Sequence, residues 1–403
     1  MSDKPVHFPP ADRISSFKPY FFATLEKQIT TLRSQGKDII RIDIGSPDLP
    51  PPDSIIDVLT ETARKTNTHG YTPYGGTVDL HQAISTYYQN RFGVNLIPGK
   101  ETLALIGSKE GLFALSQVLL NPGDISLVPD PSYPVYRAGA IVAGAEVYPM
   151  PLLARNRFLP DLNAIPSEIV SRAKVLWLNY PNMPTGAIAP FEFLEEAVQF
   201  AQKHHILIAH DAPYVDICFG QYRAPSILQV PGAKEVAIEF NSLSKTYNMA
   251  GWRLGMVVGN PDVIGYMHTY KSQMDSSHFL AIIKAGIFAL TGDQSWIEER
   301  NQIYEHRRDL VLAGLHQVGL NVPPPPAALY VWSPIPEPFT DSMTFCSRLL
   351  TEAGVSVTPG VVFGDYGEGY FRISLVTATN KMKEAIDRMV TWIQIVRGEG
   401  SHA

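Results

Sequence analysis

Between two proline clusters, Pro50–Pro52 and Pro323–Pro326, short apolar runs alternate with longer stretches whose apolar residues recur every three or four positions. The runs are Leu103–Ile106, Ile125–Val128, Val175–Leu178, Ile206–Ala209, Val236–Phe240 and Met256–Val258. None shows strict apolar–polar alternation, so each is predicted to be a strand buried on both faces. The stretch Glu110–Leu120 places Leu112, Phe113, Leu115, Val118 and Leu119 near helical period, and Phe191–His204 does the same through Phe193, Leu194, Ala197, Val198 and Phe200. Strands separated by helices predict an α/β fold with a mostly parallel sheet covered by helices on both faces. From about Gly286 the pattern changes to long helices with a few strands, Leu329–Ser333 and Phe371–Leu375, which predicts a smaller α+β domain. The expected division is an N-terminal arm with part of the small domain over 1–50, a large domain over 51–285 and a small C-terminal domain over 286–403. The proline clusters are read as boundary or crossing loops, because proline cannot donate to a helix or sheet ladder.

Composition narrows the possibilities. The 403 residues carry 33 Lys+Arg against 39 Asp+Glu, a net charge of −6, and 45% are apolar, enough for a sizeable core. The mild acidity argues against nucleic acid as the main partner, because phosphate binding needs a basic face. No apolar stretch approaches the ~18 residues of a membrane span; Ala138–Ala145 comes nearest and Glu146 ends it. The N-terminus (MSDKPVHFPP) lacks the apolar centre of a signal peptide, so a cytoplasmic location is expected. Cys218 and Cys346 cannot make a disulfide framework or a cysteine-rich zinc site, and His204, His205 and His210 have no second cluster at metal spacing, so they are read as surface or strand-end residues. No dinucleotide fingerprint, phosphate loop or Gly-x-Ser-x-Gly elbow is present.

In an open parallel sheet, ligands bind beyond the carboxyl ends of the strands. Five of the six runs are followed by polar, chemistry-capable residues: Gly107-Ser108-Lys109-Glu110-Gly111, Pro129-Asp130-Pro131-Ser132-Tyr133, Asn179–Gly186, His210–Tyr214, and Asn241-Ser242-Leu243-Ser244-Lys245. Gly107-Ser108 at a helix start is a ready anion site. Ser242, Ser244 and Arg253 add two hydroxyls and a phosphate-matching fork. Asp211 suits a protonated ring nitrogen, Tyr214 a phenolate oxygen and Tyr133 a stacked aromatic ring. With an amine from Lys245, these groups together describe pyridoxal 5'-phosphate.

The segment from Ser242 to Gly255 resembles the lysine signature of class I/II aminotransferases of fold type I, including the eight-residue spacing from Lys245 to Arg253. Asp211–Tyr214, Pro184–Gly186 and Gly364–Ser374 match the same family, and the resemblance runs from Tyr20 to about Arg397. Ser108–Gly111 and the Gly-Tyr-Phe-Arg-Ile-Ser end (Gly369–Ser374) look like the LL-diaminopimelate and aspartate aminotransferase-like branch. The resemblance implies transfer of an L-amino acid's amino group to a 2-oxo acid, with 2-oxoglutarate the expected acceptor, by a ping-pong mechanism through a lysine aldimine on Lys245. It implies that Asp211 keeps the pyridine nitrogen protonated, that Tyr214 bonds the phenolic oxygen and that Arg372 clamps the substrate α-carboxylate. Gly45 then touches that carboxylate or is a plain turn glycine; Tyr133 stacks on the cofactor or covers a sheet end; Lys109 and Tyr20 lie near the substrate or on the surface. Tyr71 matches a tyrosine that reaches the partner subunit's cofactor phosphate, which implies a homodimer with shared sites.

Two positions depart from the family pattern. Met183 stands where an asparagine usually precedes Pro-Thr-Gly, leaving the phenolic oxygen to Tyr214, and adjacent Asn182 is expected to point elsewhere. Tyr74 stands where plant-type diaminopimelate enzymes carry a glutamate, which argues against strict LL-diaminopimelate specificity and leaves aromatic or aliphatic donors open. A β-lyase on the same scaffold is the alternative activity. A cofactor-sensing regulator is disfavoured, since no helix-turn-helix pattern precedes Pro50.

Overall fold

The computed structural model describes residues 8–17 and 20–398. The expectations for the first seven residues (most of the start read for a signal peptide, and the tip of the arm) and for the last five of the small domain lie outside them.

Six expected strands form with shifted ends: those expected from Ile206 and Val236 begin one residue later and run two residues further, and the one expected over Met256–Val258 spans Leu254–Gly259. With one unanticipated strand they make a seven-stranded sheet: β1 (Thr102–Ile106), β2 (Ile125–Asp130), β3 (Glu146–Pro151), β4 (Ala173–Leu178), β5 (Leu207–Asp211), β6 (Ala237–Ser242) and β7 (Leu254–Gly259), in the order β1-β7-β6-β5-β4-β2-β3. Every pairing from β6 to β3 is parallel, and β7 alone runs against its neighbours. The overlooked strand, β3, lies at the sheet edge and carries Pro149 and Pro151, which a central ladder would not tolerate.

The helices that matter most for the site are α1 (Phe21–Ser34), α2 (Asp53–Ala63), α3 (Val78–Phe92), α4 (Ser108–Leu119), α5 (Val135–Val142), α6 (Phe191–His204), α7 (Pro261–Met274), α8 (Leu280–Thr291), α9 (Ser295–Gln317) and α10 (Thr379–Arg397). One core packs α2, α3, α6 and α8 against one face of the sheet, and a second packs α4, α5 and α7 against the other, so the sheet is covered on both sides.

A third core gathers Ile40, Ile42, much of α9 and α10, and a three-stranded antiparallel sheet of β8 (Tyr330–Pro334), β9 (Thr358–Pro359) and β10 (Tyr370–Ser374) in the order β9-β10-β8. Met183 and Tyr214, from loops after β4 and β5, also pack into it. This is why the strand ends of the large sheet face the small one. The Pro50–Pro52 cluster leads into α2, and Pro323–Pro326 lies between α9 and β8, both in loops.

Candidate active site

A cavity of about 410 Å³ opens at the carboxyl ends of the parallel strands, where the large sheet meets the small one. Lys245 stands in a single helical turn, Leu243–Thr246, that follows β6, and the Ser242 hydroxyl caps this turn by accepting from the Ser244 N–H at 3.2 Å. Arg300, buried on α9, donates to the carbonyls of Lys245 at 2.9 Å and Thr246 at 2.5 Å, occupying acceptors that a helix end leaves bare. The Lys245 Nζ donates to the Gly45 carbonyl. Burial, helped by the charges of Arg372 and Arg253, lowers the amine to about 8, so a substantial neutral fraction exists near physiological pH.

Asp211 closes β5 and is buried. Its Oδ2 accepts from the Tyr136 hydroxyl at 2.5 Å, while Oδ1 has no partner. Desolvation pushes the carboxyl up to about 6, against the pull of the Tyr136 hydrogen bond and of His210. Asn179, just after β4, donates from Nδ2 to the Asp211 carbonyl at 2.7 Å and accepts the Met183 N–H at 2.8 Å. It thereby ties two strand ends together. Asn182 turns away from the cavity, accepting from the Thr185 N–H and hydroxyl and donating to the Asn179 carbonyl, as expected.

One end of the cavity is lined by strand ends and a helix start. Gly107 precedes α4 at φ +71°, and a Cβ there would lie 2.1 Å from the Arg253 guanidinium, so only glycine admits the arginine this close. Ser108, Ser242, Ser244 and Arg253 line the same end of the cavity. Arg253 itself sits at φ +59°, with Nη1 donating to the Ala250 carbonyl at 2.8 Å and its own carbonyl 2.8 Å from the His278 Nε2.

At the opposite end Arg372, on β10, is 3% exposed and has no carboxylate partner among the described residues. Nη2 donates to the Asp43 carbonyl at 2.7 Å, Nη1 to the Met183 sulfur at 3.4 Å, and Nε is unpartnered. The guanidinium carbon lies 4.4 Å from the Tyr330 ring centre and 4.8 Å from that of Phe363. The Tyr330 and Tyr214 hydroxyls are 2.8 Å apart, and burial raises the Tyr214 phenol far above its ordinary range, with Tyr330 adding to the effect. Lys109 lies 5.7 Å from the Tyr133 ring centre and 5.6 Å from that of Tyr20, and it has no acidic partner among the described residues. Burial, with the Arg253 charge, lowers its amine.

The cavity therefore brings together Tyr20, Gly45, Ser108, Lys109, Tyr133, Asp211, Tyr214, Ser242, Ser244, Lys245, Arg253 and Arg372, with Gly107 behind Arg253. Tyr71 is not among the lining residues and is 94% exposed. Five residues had been given no role: Asn179, Tyr136, Tyr330, Phe363 and Arg300. Asn179 was detectable, because it directly follows a strand on the ligand side. The others reach the site from helices and from the small sheet, where no local pattern marks them. His210 is buried rather than superficial, its Nδ1 2.9 Å from the Glu239 carboxylate.

A family model for class I and II aminotransferases matches residues 37–389. The chain belongs to this family. The LL-diaminopimelate aminotransferase of Moorella thermoacetica is 48% identical over 379 residues, 94% of this chain and 97% of that one. The enzyme of the same name from Natranaerobius thermophilus is 47% identical over 94% and 98%. Among solved structures, substrate-bound BacF from Bacillus subtilis has a TM-score of 0.92 at 36% identity, covering 96% of this chain and 98% of that one. A Thermus thermophilus aspartate aminotransferase mutant has 0.89 at 29%, covering 95% and 99%. The aminotransferase is thus a transferase dependent on pyridoxal phosphate that moves an amino group from an amino acid to a 2-oxo acid. No helix among its described residues is long and apolar enough to cross a membrane, and no group of three or more metal-capable side chains occurs there.

Proposed function

We propose that Lys245 is the attachment point and proton carrier, Asp211 the partner of the cofactor's ring nitrogen, and Arg372 the clamp for the substrate's α-carboxylate. The observation that carries this is the convergence on one cavity of a lowered amine, a carboxylate with one bare oxygen and a buried guanidinium without an acidic partner. The donor set fits pyridoxal phosphate. Asp211 Oδ1 is an orphaned acceptor suited to a ring N–H, and the cradle at Gly107, Ser108, Ser242, Ser244 and Arg253 suits a phosphate. Tyr133 offers a face for the ring. When bound, the cofactor supplies an electrophilic aldehyde and an electron-withdrawing ring, which acidify the substrate's α C–H.

Each protein group then has one task. Lys245 Nζ takes the α-proton and later returns one, which its lowered basicity favours. Asp211, ionised above about pH 6, keeps the ring nitrogen protonated. Arg372, with Nε unpartnered and Nη1 engaged only by the Met183 sulfur, keeps donors free for a carboxylate, and the Gly45 backbone borders the same place. Tyr214 is the one hydroxyl offered to the phenolic oxygen, since Met183 brings only a weak acceptor.

Lys109, caught between Tyr20 and Tyr133 without an acidic partner, favours an amino acid with a distal carboxylate. The names of the relatives make LL-diaminopimelate the first such donor to test. Tyr74, half-exposed and away from the cavity, gives this chain alone no contact with a substrate.

The active unit in this reading is a homodimer. Tyr71, Val78, Tyr266, Tyr270 and Met274 form an exposed apolar surface where the 71–78 segment packs on α7 and the 275–279 loop, through Thr72 to the His278 carbonyl and the Tyr74 carbonyl to His268. A second copy on that surface would let Tyr71 reach a cofactor phosphate. The two unpaired, buried thiols fit a cytoplasmic setting.

The test is a half-reaction panel in which purified protein, loaded with pyridoxal phosphate, meets LL-diaminopimelate, glutamate, aspartate, alanine and phenylalanine, with 2-oxoglutarate as acceptor. Turnover with the donors that carry a second carboxylate supports the reading. Turnover confined to phenylalanine or alanine overturns the substrate class.

A further inference from the structure

We propose that Tyr136 is the positioning residue for Asp211: its hydroxyl holds one carboxylate oxygen, so that the other is the single acceptor aimed at the cofactor's ring nitrogen. The inference rests on the placement of Asp211 proposed above and concerns how that carboxylate is set. Tyr136 lies on α5, is fully buried, and donates to Oδ2 at 2.5 Å. Its ring stacks on Trp177 of β4, with centres 4.7 Å apart and planes 16° apart. Trp177 is in turn fixed by an Nε1 hydrogen bond to Ser126 on β2 at 3.2 Å and by stacking against Phe240 of β6. The hydroxyl is therefore aimed by a packed stack that spans the centre of the sheet.

A carboxylate free to rotate would present either oxygen, or both, to a ring N–H. One that already accepts at Oδ2 presents Oδ1 alone, which is the orphaned atom observed. The charged and titratable groups near Asp211 are Tyr136 from α5, Tyr133 from the loop before it, His210 on β5 itself, Tyr214 after β5, and Lys245 and Arg253 across the cavity. Among the described residues, Tyr136 is the one that hydrogen-bonds the carboxylate. A hydrogen bond to the ionised form favours that form, so Tyr136 also opposes the desolvation that would neutralise Asp211.

The experiment compares wild type, Tyr136→Phe, Asp211→Asn and the double variant. Pyridoxal phosphate is titrated into each apoprotein by fluorescence quenching between pH 5 and 8.5. Tyr136→Phe keeps the stacked ring and is expected to weaken cofactor binding about tenfold at neutral pH. It should also move the acid midpoint of binding upward by about one pH unit relative to wild type. In the Asp211→Asn background the same change should be nearly silent. Equal losses in both backgrounds, or an unmoved midpoint, would overturn the inference, since a merely structural role acts whatever stands at 211. Should Tyr136→Phe not fold, difference infrared spectra of wild type against Asp211→Asn decide the matter. A carboxylate band split by one strong hydrogen bond supports the proposal, and a symmetric one defeats it. Wild-type apoprotein that takes up no pyridoxal phosphate would sink the assignment of Asp211 itself, and the inference with it.

Discussion

The two ends of the cavity are built by different means. The proposed phosphate end comes from short segments, each at the end of its own strand: Gly107-Ser108 after β1, and Ser242 to Lys245 and on to Arg253 between β6 and β7. It offers the hydroxyls of Ser108, Ser242 and Ser244, the start of α4 and one arginine, and Arg253 is exposed to solvent. The proposed carboxylate end is a single buried guanidinium, that of Arg372, held by side chains and carbonyls far apart in the chain: Asp43, Met183, Tyr330, Thr358 and Phe363. An end made of several small donors around a helix start tolerates change in any one side chain. An end made of one charge in an apolar nest does not.

Substitutions on either side probe this contrast. Lys245→Ala, at the junction of the two ends, should abolish turnover by at least about 10⁴-fold and remove the visible absorption of the loaded protein, read by stopped-flow and an absorbance scan. An active variant would break the whole scheme. Arg372→Lys should lower kcat/KM by about 10²-fold, mostly through KM, because a lysine cannot make the two parallel bonds of the fork. At the open end, Arg253→Lys should weaken cofactor binding by only about tenfold, measured by equilibrium dialysis, because the serine hydroxyls, the start of α4 and a cationic side chain remain. If Arg253→Lys proved the more damaging of the two, the contrast would be reversed.

A further prediction uses stability. Asp211 is raised to about 6 in the folded apoprotein, above the ordinary carboxylate value of 3.8, so the fold bears a cost that grows as pH rises from about 4 and is complete above about 6. Asp211→Asn should therefore stabilise the apoprotein above pH 7, by up to about 3 kcal/mol, and the gain should vanish near pH 4, read by thermal or denaturant unfolding across that range. The smallest expected effect is that of Tyr330→Phe. It keeps the ring under Arg372 but frees the Tyr214 hydroxyl, and should change kcat a few-fold while leaving KM nearly untouched.

The same contrast explains what was legible in the sequence. The open end was readable because each of its parts lies within a few residues of a predicted strand, and the rule that ligands sit at strand ends picks them out. Asp211 and Lys245 were readable for the same reason. The arginine was found through the family pattern around Gly369–Ser374, but its surroundings were not. Tyr330 opens a strand of the other sheet, and Phe363 lies in a turn of no distinctive composition. Tyr136 looks like any aromatic residue on an amphipathic helix, and its role depends on a stack with Trp177 that no spacing reveals. Arg300 has the appearance of a solvated residue on a charged helix, yet it is buried against the lysine turn. Of the fold, the central strands and the helices Ser108–Leu119 and Phe191–His204 followed from periodicity. In the central sheet the strand missed was the one broken by prolines at the margin, and in the small sheet it was the two-residue β9, too short to show a period.

Those prolines have an effect of their own. A row of unpaired N–H and C=O groups at a sheet margin invites a strand from a neighbouring molecule to add on. Pro149 and Pro151 remove two donors from one margin, and at the other the Ala104 N–H is already engaged by the Gly75 carbonyl. The central sheet thus ends on both sides in a way that discourages runaway stacking of one molecule on the next, which lets the protein be concentrated without polymerising through its own ladder.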